Sequence, residues 1–381
     1  LVELKGFGDK SQKNIKEQLE YYFQSLEKYR WASVEEDADN LLIELRKLAG
    51  KDNVLITGQF KQMLPVVEML EFAIDESVEK EIEESKLFTD LKKNNNEIEC
   101  RLESSGIKVK FYLSSKENIN LTSINKSSSA ELIEILNSKK SELKRLSETE
   151  IFEKCGLPFI PAELRDYNGI EKMKSLPVII KNEDIKGVIH AHSNYSDGAP
   201  TLKELADYCK SQGYSYLGIT DHSQSAFYAN GLKPERVKEQ WNEIDELNKT
   251  YSDFRIFKGI ESDIKFDGEL DYTDDILKGF EYVISSVHIK LKLTEVKATE
   301  RIIKAVENPH TTILGHPTGR LLLSRQGYPI NHKKVIDACA ANNVIIEINA
   351  NPLRLDLDYQ WVKYALEKKV KISINPDAHL Q

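Results

Sequence analysis

The hydrophobic pattern changes near the middle of the chain. Up to about residue 150, apolar positions recur at helical spacing in Lys- and Glu-rich stretches such as NIKEQLEYYFQSLEKYR and SAELIEILNSKKSELKRL. From about residue 181, short apolar runs alternate with amphipathic segments such as TLKELADYCKSQ, PERVKEQWNEIDELNK and DYQWVKYALEKK. The runs read GVIHAH, YLGITDH, RIFKGIESDI, YVISSVH, TTILGHP, VIIEINA and KISINPDAH. Seven strands, six of them followed by a helical segment, predict a parallel α/β barrel over residues 181–381.

The stretch between these two textures contains the sequence GLPFIPAELRDYNGIEKMKSLP, with three prolines. Proline interrupts helices and marks loops and connections. The pattern therefore predicts a linker over residues 151–180 that joins a smaller region, residues 1–150, to the barrel.

Composition narrows the class of protein. The 381 residues are 40% hydrophobic, and no apolar run approaches the roughly 20 residues that a membrane span needs. The start, LVELKGFGDKSQKN, lacks the features of a secretory signal, and the four cysteines form no CxxC pair. We therefore expect a cytoplasmic protein with no membrane partner. The net charge of −9 argues against bulk electrostatic coating of nucleic acid, so a polyanionic substrate must be held locally, by metal ions or a basic cleft.

Histidines concentrate at the carboxyl ends of the predicted strands. Six of the eight lie there: His190, His192, His222, His288, His316 and His379. The carboxylates Asp197, Glu261 and Asp377 reach the same edge. An α/β barrel builds its active site where these strand ends converge, and the strand period of two places His190 and His192 on one face. By contrast, His310 precedes a strand and His332 opens a helix, so both are predicted to be surface residues.

Each of these residues has an ordinary structural interpretation when taken alone. A single strand-end histidine such as His316 is more often a satisfied structural residue, Asp197 fits a turn, and Glu261 fits a solvated charge. The full set has no such interpretation, because gathering six imidazoles and three carboxylates would be unfavourable unless cations bind them. The sequence therefore predicts a metal cluster at the mouth of the barrel.

Several motifs also point to a known family. HAHSNYSDG, ITDHS, GIESDI, SSVH, LGHPTGR and INPDAH, in this order, resemble the motifs of the PHP (polymerase and histidinol phosphatase) superfamily. EKCGLPFIPAELRD, YANGLKPER, DGELDY, HPTGRLLLSRQGY and EINANPLRLDL resemble, more specifically, the C-terminal PHP domain of bacterial family-X DNA polymerases. The resemblance extends from about Ile151 to the last residue.

The resemblance implies a distorted (β/α)7 barrel with three divalent metal ions. By position, the first ion would be held by His190, His192, Glu261 and Asp377, the second by Glu261, His288 and His316, and the third by Asp197, His222 and His379. This mixed nitrogen and oxygen shell suits Mn²⁺ or Zn²⁺. The implied nucleophile is a metal-bound water, which the ions orient towards a phosphodiester.

Four further residues are candidates for supporting roles. Arg320 and Arg354 lie just beyond strand ends and would contact phosphate oxygens, with a structural ion pair as the alternative for each. Asp263 and Asp221 would orient the metal ligands. Val188 departs from the family pattern, because many members carry an acidic residue at this position before the histidine pair.

The N-terminal region resembles degenerate polymerase modules. LVELKGFGDKSQKNI is similar to a helix-hairpin-helix, so residues 1–30 are interpreted as its remnant, with Gly6, Phe7 and Gly8 presenting amides to a DNA phosphate; a plain glycine turn is the alternative. Residues 31–150 resemble an α+β, nucleotidyltransferase-like palm and thumb.

Inside that palm-like region, two metal-binding aspartates of the family correspond to Met69 and Glu71, and Lys110 stands at the third carboxylate position. Gly58 is retained, while Gln59 replaces the usual serine and Lys61 and Gln62 stand for a basic pair. We therefore expect two-metal nucleotide transfer to be lost.

The function predicted from these observations is a metal-dependent 3′-5′ exonuclease or phosphodiesterase that acts on DNA ends or single strands in repair. Two alternatives stay open: a PHP phosphatase for a small phosphoester, and a non-catalytic repair scaffold. The chain opens inside the helix-hairpin-helix motif and stops two residues after His379, so it is expected to be a fragment of a longer polypeptide. The sequence leaves the oligomeric state open.

Overall fold

The computed structural model describes residues 8–167, 169–172 and 175–380. The chain divides into two compact units, Leu1–Ile179 (unit one) and Ile180–Gln381 (unit two). In the part of the chain that the structure describes, no helix is both long and apolar enough to span a bilayer.

Unit one is an α+β fold around a five-stranded mixed sheet of order β2-β4-β7-β6-β5, beside a short β1–β3 ribbon. Its strands are β1 (Tyr29–Arg30), β2 (Val54–Thr57), β3 (Val66–Val67), β4 (Leu70–Asp75), β5 (Phe88–Asn94), β6 (Glu97–Leu102) and β7 (Lys108–Ser114). Its helices are α1 (Asp9–Ser25), α2 (Trp31–Ala49), α3 (Gly58–Lys61), α4 (Glu79–Glu83), α5 (Ile119–Lys126), α6 (Ala130–Ser138) and α7 (Glu148–Lys154). The predicted α+β class is confirmed.

The core of unit one follows from the periodicity of its elements. Leu70, Phe72 and Ile74 lie on one face of β4 and are fully buried, and Ala73 on the other face is buried as well, so both faces of this inner strand are covered. Helix α2 buries positions spaced three and four apart, from Val34 to Ala49, against the same cluster.

A second apolar cluster in unit one involves the segment that the sequence analysis assigned to the linker. Ile151, Phe152 and Ile160 are fully buried, and they pack with residues of α5 and α6. The start of the predicted linker, residues 151–160, therefore contributes three side chains to a hydrophobic core. The domain boundaries drawn from the sequence stay predictions.

Unit two contains the seven predicted strands, which pair in parallel in the order β14-β13-β12-β11-β10-β9-β8. They are β8 (Gly187–Val188), β9 (Tyr216–Ile219), β10 (Arg255–Asp263), β11 (Tyr282–Ser286), β12 (Ile313–Leu314), β13 (Ile345–Asn349) and β14 (Ile372–Asn375). The helices between them are α8 (Leu202–Ser211), α9 (Pro234–Thr250), α10 (Asp274–Leu277), α11 (Glu295–Val306), α12 (His332–Asn342) and α13 (Val362–Glu367). The strand order is the order along the chain, as repeated βα units produce.

The first and last strands of unit two meet beyond their regular ends. Ala191 and Ala378 form a parallel bridge. The His192 amide donates to the Ala378 carbonyl at 2.8 Å, and the Ala378 amide donates to the His190 backbone carbonyl at 3.2 Å. These bonds close the sheet into a seven-stranded barrel. The strand order and this closure confirm the (β/α)7 expectation, and the two-residue strands β8 and β12 account for its distortion.

Two glycines admit a tyrosine ring to the barrel interior. A methyl group on Gly218 would lie 2.2 Å from the Tyr282 hydroxyl, and one on Gly259 would lie 2.3 Å from its ring. The hydroxyl of the buried Tyr282 donates to the carbonyls of Ile219 and Ile189, at 3.3 and 3.4 Å. The glycines therefore provide room for the side chain that fills this part of the barrel.

We expect Gly259→Ala to destabilise the protein by about 1–3 kcal/mol, the usual effect of overpacking a core. A thermal unfolding scan followed by circular dichroism would show a lower midpoint. Combining it with Tyr282→Leu should give a smaller loss than the sum of the two single losses, because the clash requires both partners. Strictly additive losses would contradict this account of the packing.

Candidate metal centre

Barrel closure brings together predicted ligands from the two ends of unit two. His192 Nε2 lies 3.1 Å from Asp377 Oδ1, and His190 Nε2 lies 3.4 Å from the same oxygen. His379 Nδ1 lies 3.8 Å from it. Residues almost 190 positions apart in the sequence therefore share one small volume at the carboxyl ends of the strands.

Glu261, at the carboxyl end of β10, is the centre of the cluster and is 1% exposed. Its carboxylate oxygens lie 3.0 Å from His316 Nε2, 3.0 Å from His222 Nδ1 and 3.2 Å from His288 Nε2. His190 Nε2 is 3.5 Å away. His192 Nε2 is 3.6 Å away, and a carboxylate with five imidazoles around it has the arrangement expected of a bridging ligand.

A third group of side chains lies nearer the surface. Asp197 Oδ1 is 3.4 Å from His379 Nε2, 3.6 Å from His222 Nε2 and 3.8 Å from His192 Nδ1. About a third of the Asp197 and His379 side chains is exposed, whereas His190 and His192 are fully buried. The cluster therefore extends from the closed interior to the mouth of the barrel.

The structure thus brings all nine predicted ligands into one connected cluster. Three overlapping sets have ligand atoms close enough to hold an ion: His192, Asp197, His222 and His379; His190, His192 and Glu261; and His222, Glu261 and His288. Two histidines, His192 and His222, each take part in two sets. The assignment of single residues to single ions, and the number of ions, stay predictions.

The donor atoms themselves fit cations. His190 Nε2, His192 Nδ1, His222 Nδ1 and Glu261 Oε2 are buried and make no hydrogen bond of acceptable geometry. Buried polar atoms are normally hydrogen-bonded, and a group of unsatisfied ones indicates a missing ion or water. Imidazole nitrogens and carboxylate oxygens are ligands that transition metals share.

Electrostatics keeps the carboxylates of the cluster ionised. Burial alone would raise the pKa of Glu261, but the imidazoles of His288, His190 and His222 outweigh burial and hold the pKa well below its usual value. Burial likewise opposes ionisation of Asp377, and His190 and His192 lower its pKa well below the usual range. Both carboxylates are therefore anionic ligands at neutral pH.

The pKa values of the histidines differ according to the carboxylates beside them. Burial would lower the pKa of His288, but Glu261 and Asp263 raise it to about 10. For His190, the charges of Glu347, Asp377 and Glu261 exceed the opposite effect of burial and raise the pKa well above the usual value. Burial dominates at His192, where it lowers the pKa. In the absence of ions, protons on His190 and His288 balance the buried negative charge.

A second layer of carboxylates orients two of the ligands. Asp263 Oδ1 lies 2.5 Å from His288 Nδ1, as the sequence analysis expected for this residue. Glu347 Oε2 lies 2.6 Å from His190 Nδ1, and the other oxygen of Glu347 accepts from the His316 amide. Such contacts fix which imidazole nitrogen faces the metal. Glu347 is not among the residues predicted from the sequence, although its position at a strand end in VIIEINA was a usable signal.

Asp221 acts on the loop rather than on a histidine. Its carboxylate accepts from the amides of Ser193 and Ser196, from both serine hydroxyls and from Gln240. This network holds the short loop between His192 and Asp197, so Asp221 positions both ligands through the backbone.

The cluster opens into a cavity of about 260 Å³. Two arginines line it: Arg354, whose Nε lies 3.5 Å from Asp377 Oδ2, and Arg325, which the sequence analysis missed. Arg320 is not among the lining residues. Its guanidinium bonds Asp358 and the carbonyls of Arg354 and Leu355, which is the structural ion pair held open as its alternative.

The two remaining histidines lie outside the cluster. His310 is partly buried, with its Nε2 3.7 Å from the exposed Asp274. His332 is also partly buried, and its ring stacks on Trp361 with centroids 4.6 Å apart. The surface prediction therefore overlooked a packing contact at His332.

The proposed DNA-contact residues of unit one are only partly described. Gly6 and Phe7 lie outside the described residues, while Gly8 is the exposed residue that precedes α1. Residues 9–25 form one continuous helix. The helix-hairpin-helix interpretation stays a prediction.

The palm-like positions of unit one are engaged with each other. Glu71 of β4 and Lys110 of β7 are direct partners in the parallel register, which supports the alignment of these positions. Glu71 accepts from the Gln59 amide and the Tyr112 hydroxyl. Lys110 Nζ lies 2.7 Å from Glu97 and 2.9 Å from Glu99. Among the described residues, the groups arranged to hold a metal ion all lie in unit two.

Comparison with known proteins agrees with this division. Residues 189–351 match the family model of the PHP domain. DNA polymerase/3'-5' exonuclease PolX of Bacillus subtilis (strain 168) is 44% identical over 234 residues, which are 61% of this chain and 41% of that protein. The chain thus spans less than half the length of this relative. A probable phosphatase of Clostridium novyi (strain NT) is 27% identical over 204 residues, 50% of this chain and 78% of that one.

Solved structures give more distant similarities. A histidinol phosphate phosphatase from Lactococcus lactis, in complex with zinc, L-histidinol and phosphate, is 17% identical with a TM-score of 0.36, covering 51% of this chain and 86% of its own. Leishmania infantum polymerase beta is 14% identical with a TM-score of 0.31, covering 43% and 84%. The PHP family match and the Bacillus relative confirm the resemblance drawn from the motifs.

We expect Glu347→Gln to weaken metal binding by about 10–100-fold, because the neutral amide no longer supports His190 with a charge. Titration against a chromogenic chelator, with bound metal counted by elemental analysis, measures the change. Glu300→Gln, on the exposed side of α11, is the matched control and should bind like the unmodified protein. Equal affinities for the two variants would remove Glu347 from the site.

Proposed function

We propose that this chain, a PHP-domain relative of the bacterial family-X DNA polymerases, is a metal-dependent phosphodiesterase that removes nucleotides from 3′ DNA ends. The PHP domain and both kinds of relative support the broader class of phosphoesterase. The observation that carries the proposal is the convergence of all nine ligands in one cluster centred on Glu261, in which five buried nitrogen and oxygen atoms make no hydrogen bond.

Divalent ions in this cluster, Mn²⁺ or Zn²⁺ and three in number by the family pattern, would activate water and neutralise a phosphodiester. The side chains of this chain do the positioning. Asp263 and Glu347 hold the rings of His288 and His190, and Asp221 holds the loop that carries Asp197. Water is largely excluded from the inner cluster, where His190 and His192 are fully buried.

Arg354 and Arg325 supply positive charge at the cavity. Arg354 lies beside Asp377, so its guanidinium faces the ligand cluster, and planar guanidinium groups bind phosphate oxygens through paired hydrogen bonds. Because the arginines and the metal ligands line the same cavity, that cavity suits a phosphate group. A chain of net charge −9 thereby attracts a polyanion locally.

DNA is preferred to a small phosphoester because the Bacillus relative, whose printed name includes a 3'-5' exonuclease, is 44% identical, whereas the phosphatase relative is 27% identical. The phosphatase alternative is favoured by a different observation, the 78% coverage of that relative's length. A cytoplasmic location and a role in repair belong to the same proposal.

Unit one is proposed to hold DNA without extending it. Two-metal nucleotide transfer needs carboxylates, and the matching positions carry Met69, Glu71 and Lys110. The Glu71 carboxylate also lies over Gly58, where a methyl group would meet it at 1.8 Å, and accepts from the Gln59 amide. The Gln59 amide, which would face a phosphate, is therefore already hydrogen-bonded to the Glu71 carboxylate.

With Mn²⁺ and a 5′-labelled single-stranded oligonucleotide, we expect products that shorten one nucleotide at a time. His192→Ala should lose more activity than the about 10–100-fold typical of changes behind a metal ligand, because a ligand itself is removed. Gel electrophoresis of timed samples measures the rate. His310→Ala, outside the cluster, is the matched control and should retain the rate.

Cleavage that survives in His192→Ala, or an excess of chelator that leaves it unaffected, would refute the metal-dependent nuclease. If the protein hydrolysed histidinol phosphate but left the DNA uncleaved, the result would support the phosphatase alternative. Failure on both substrates with full metal loading would select the scaffold.

With Mg²⁺, all four deoxynucleoside triphosphates and a primed template, we expect no primer extension. The reason is the single carboxylate, Glu71, at the palm-like positions and the ammonium group of its partner Lys110. A sequencing gel with an active polymerase as positive control reads the result. Extension that His192→Ala leaves unchanged would show that unit one retains a nucleotide-transfer site.

A further inference from the structure

Resting on the proposed function, we infer that Phe227 and Tyr228 stack on nucleobases of the DNA strand whose 3′ end lies in the metal centre. Both rings belong to one short 3-10 turn, Phe227–Ala229, called the aromatic turn below. Tyr228 would contact the terminal base and Phe227 the base before it.

The aromatic turn exposes an unusual amount of apolar surface beside a polar cluster. Phe227 is 85% exposed and Tyr228 is 65% exposed. A single exposed aromatic side chain is ordinary, but two adjacent ones at the mouth of a ligand cluster form a surface that a flat apolar group can cover. Every nucleobase offers such a flat face.

Tyr228 lies within reach of the reacting phosphate. It lines the same cavity as Glu261, Arg325 and Arg354, and its ring centroid is 6.2 Å from that of the ligand His222. A phosphate held between the ligands and the arginines would place its own base towards the rim, where the aromatic turn lies.

The backbone holds the turn in place. Ala226 and Ala229 are buried, and Asn230 adopts a left-handed conformation with φ of 55°. The Asn230 side chain donates to the carbonyls of Tyr195 and Ser196. The turn is thus attached to the loop that carries the ligand Asp197.

Its other end is attached to a second ligand. The Leu232 amide donates to the His222 carbonyl at 2.8 Å, and a methyl group on Gly231 would meet the Ser223 carbonyl at 1.9 Å. Because both ends are fixed to segments that hold ligands, the exposed rings keep a set distance from the metal centre. A rigid ring loses little conformational entropy when a base stacks on it.

The test uses an oligonucleotide with the fluorescent base 2-aminopurine at its 3′ end and a terminal phosphorothioate linkage that slows cleavage. Stacking on Tyr228 should quench the fluorescence when the protein binds. The Phe227→Ala, Tyr228→Ala double variant should lose the quenching and bind about 10-fold more weakly. Tyr228→Trp should retain both, because it keeps a stacking face.

The control variant is Tyr208→Ala, which removes an exposed ring from the outer helix α8 and should behave like the unmodified protein. Bound metal, counted by elemental analysis, should be equal in all variants, which separates base contact from damage to the cluster.

Cleavage assays distinguish this inference from the function on which it rests. For an oligonucleotide whose 3′-terminal nucleotide lacks its base, the unmodified protein should have a KM about 10-fold higher than for the complete oligonucleotide. The double variant should have the same KM for both oligonucleotides. Quenching without any cleavage would support the stacking surface and overturn the nuclease. Cleavage with identical quenching and discrimination in the double variant would overturn the stacking surface and leave the nuclease standing.

Discussion

The backbone pairing between Ala191 and Ala378 determines whether unit two has a site at all. It joins the first and last strand segments of the barrel, and each alanine lies between two ligands in sequence. Pairing the alanines brings the segment with His190 and His192 beside the segment with Asp377 and His379, so that Asp377 Oδ1 lies 3.1 Å from His192 Nε2 and 3.4 Å from His190 Nε2. Asp377 itself has a left-handed backbone conformation with φ of 53°, so the direction of its side chain depends on this local turn as well as on the pairing.

The same closure concentrates charge that the fold cannot neutralise with hydrogen bonds alone. Glu261 and Asp377 are buried and ionised, and the imidazoles around them include one pair whose pKa is raised, His190 and His288. Burying ionised groups is unfavourable unless each has a partner of good geometry. The unsatisfied nitrogens of His190, His192 and His222 indicate that protein groups do not complete the set. A cation would complete it, because it would replace the protons and accept several lone pairs at once.

Sequence reasoning succeeded where a short-range rule sets the structure. Alternating apolar runs located all seven strands, and the position of a histidine at a strand end was enough to predict that it would meet the others. It failed where the outcome depends on packing across the fold. Glu347 resembles any strand residue until β13 places its carboxylate beside His190. Arg320 forms an ion pair with Asp358, whereas Arg325 lines the cavity, and neither position follows from the local sequence. The burial of Phe152, which lies in the range predicted to be a linker, also depends on packing against α5 and α6.

Both units bring carboxylates and polar groups close together, but these groups are hydrogen-bonded to each other in unit one and only partly so in unit two. In unit one, the Gln59 amide, the Tyr112 hydroxyl and the Lys110 ammonium group are all bonded to carboxylates of the chain, two of them to Glu71. Groups that are satisfied internally stabilise the fold but offer little to a ligand, since binding would first have to break those bonds. In unit two, several buried ligand atoms, including His190 Nε2, His192 Nδ1 and His222 Nδ1, make no hydrogen bond within the protein, so a cation can bind them without breaking one. Other ligand atoms, such as His192 Nε2 and His316 Nε2, are hydrogen-bonded to the carboxylates of Asp377 and Glu261. Because unit two contains ligand atoms without hydrogen-bond partners and the corresponding groups of unit one are hydrogen-bonded, we place the metal chemistry in unit two. This assignment depends on local hydrogen bonding rather than on the overall charge of either unit.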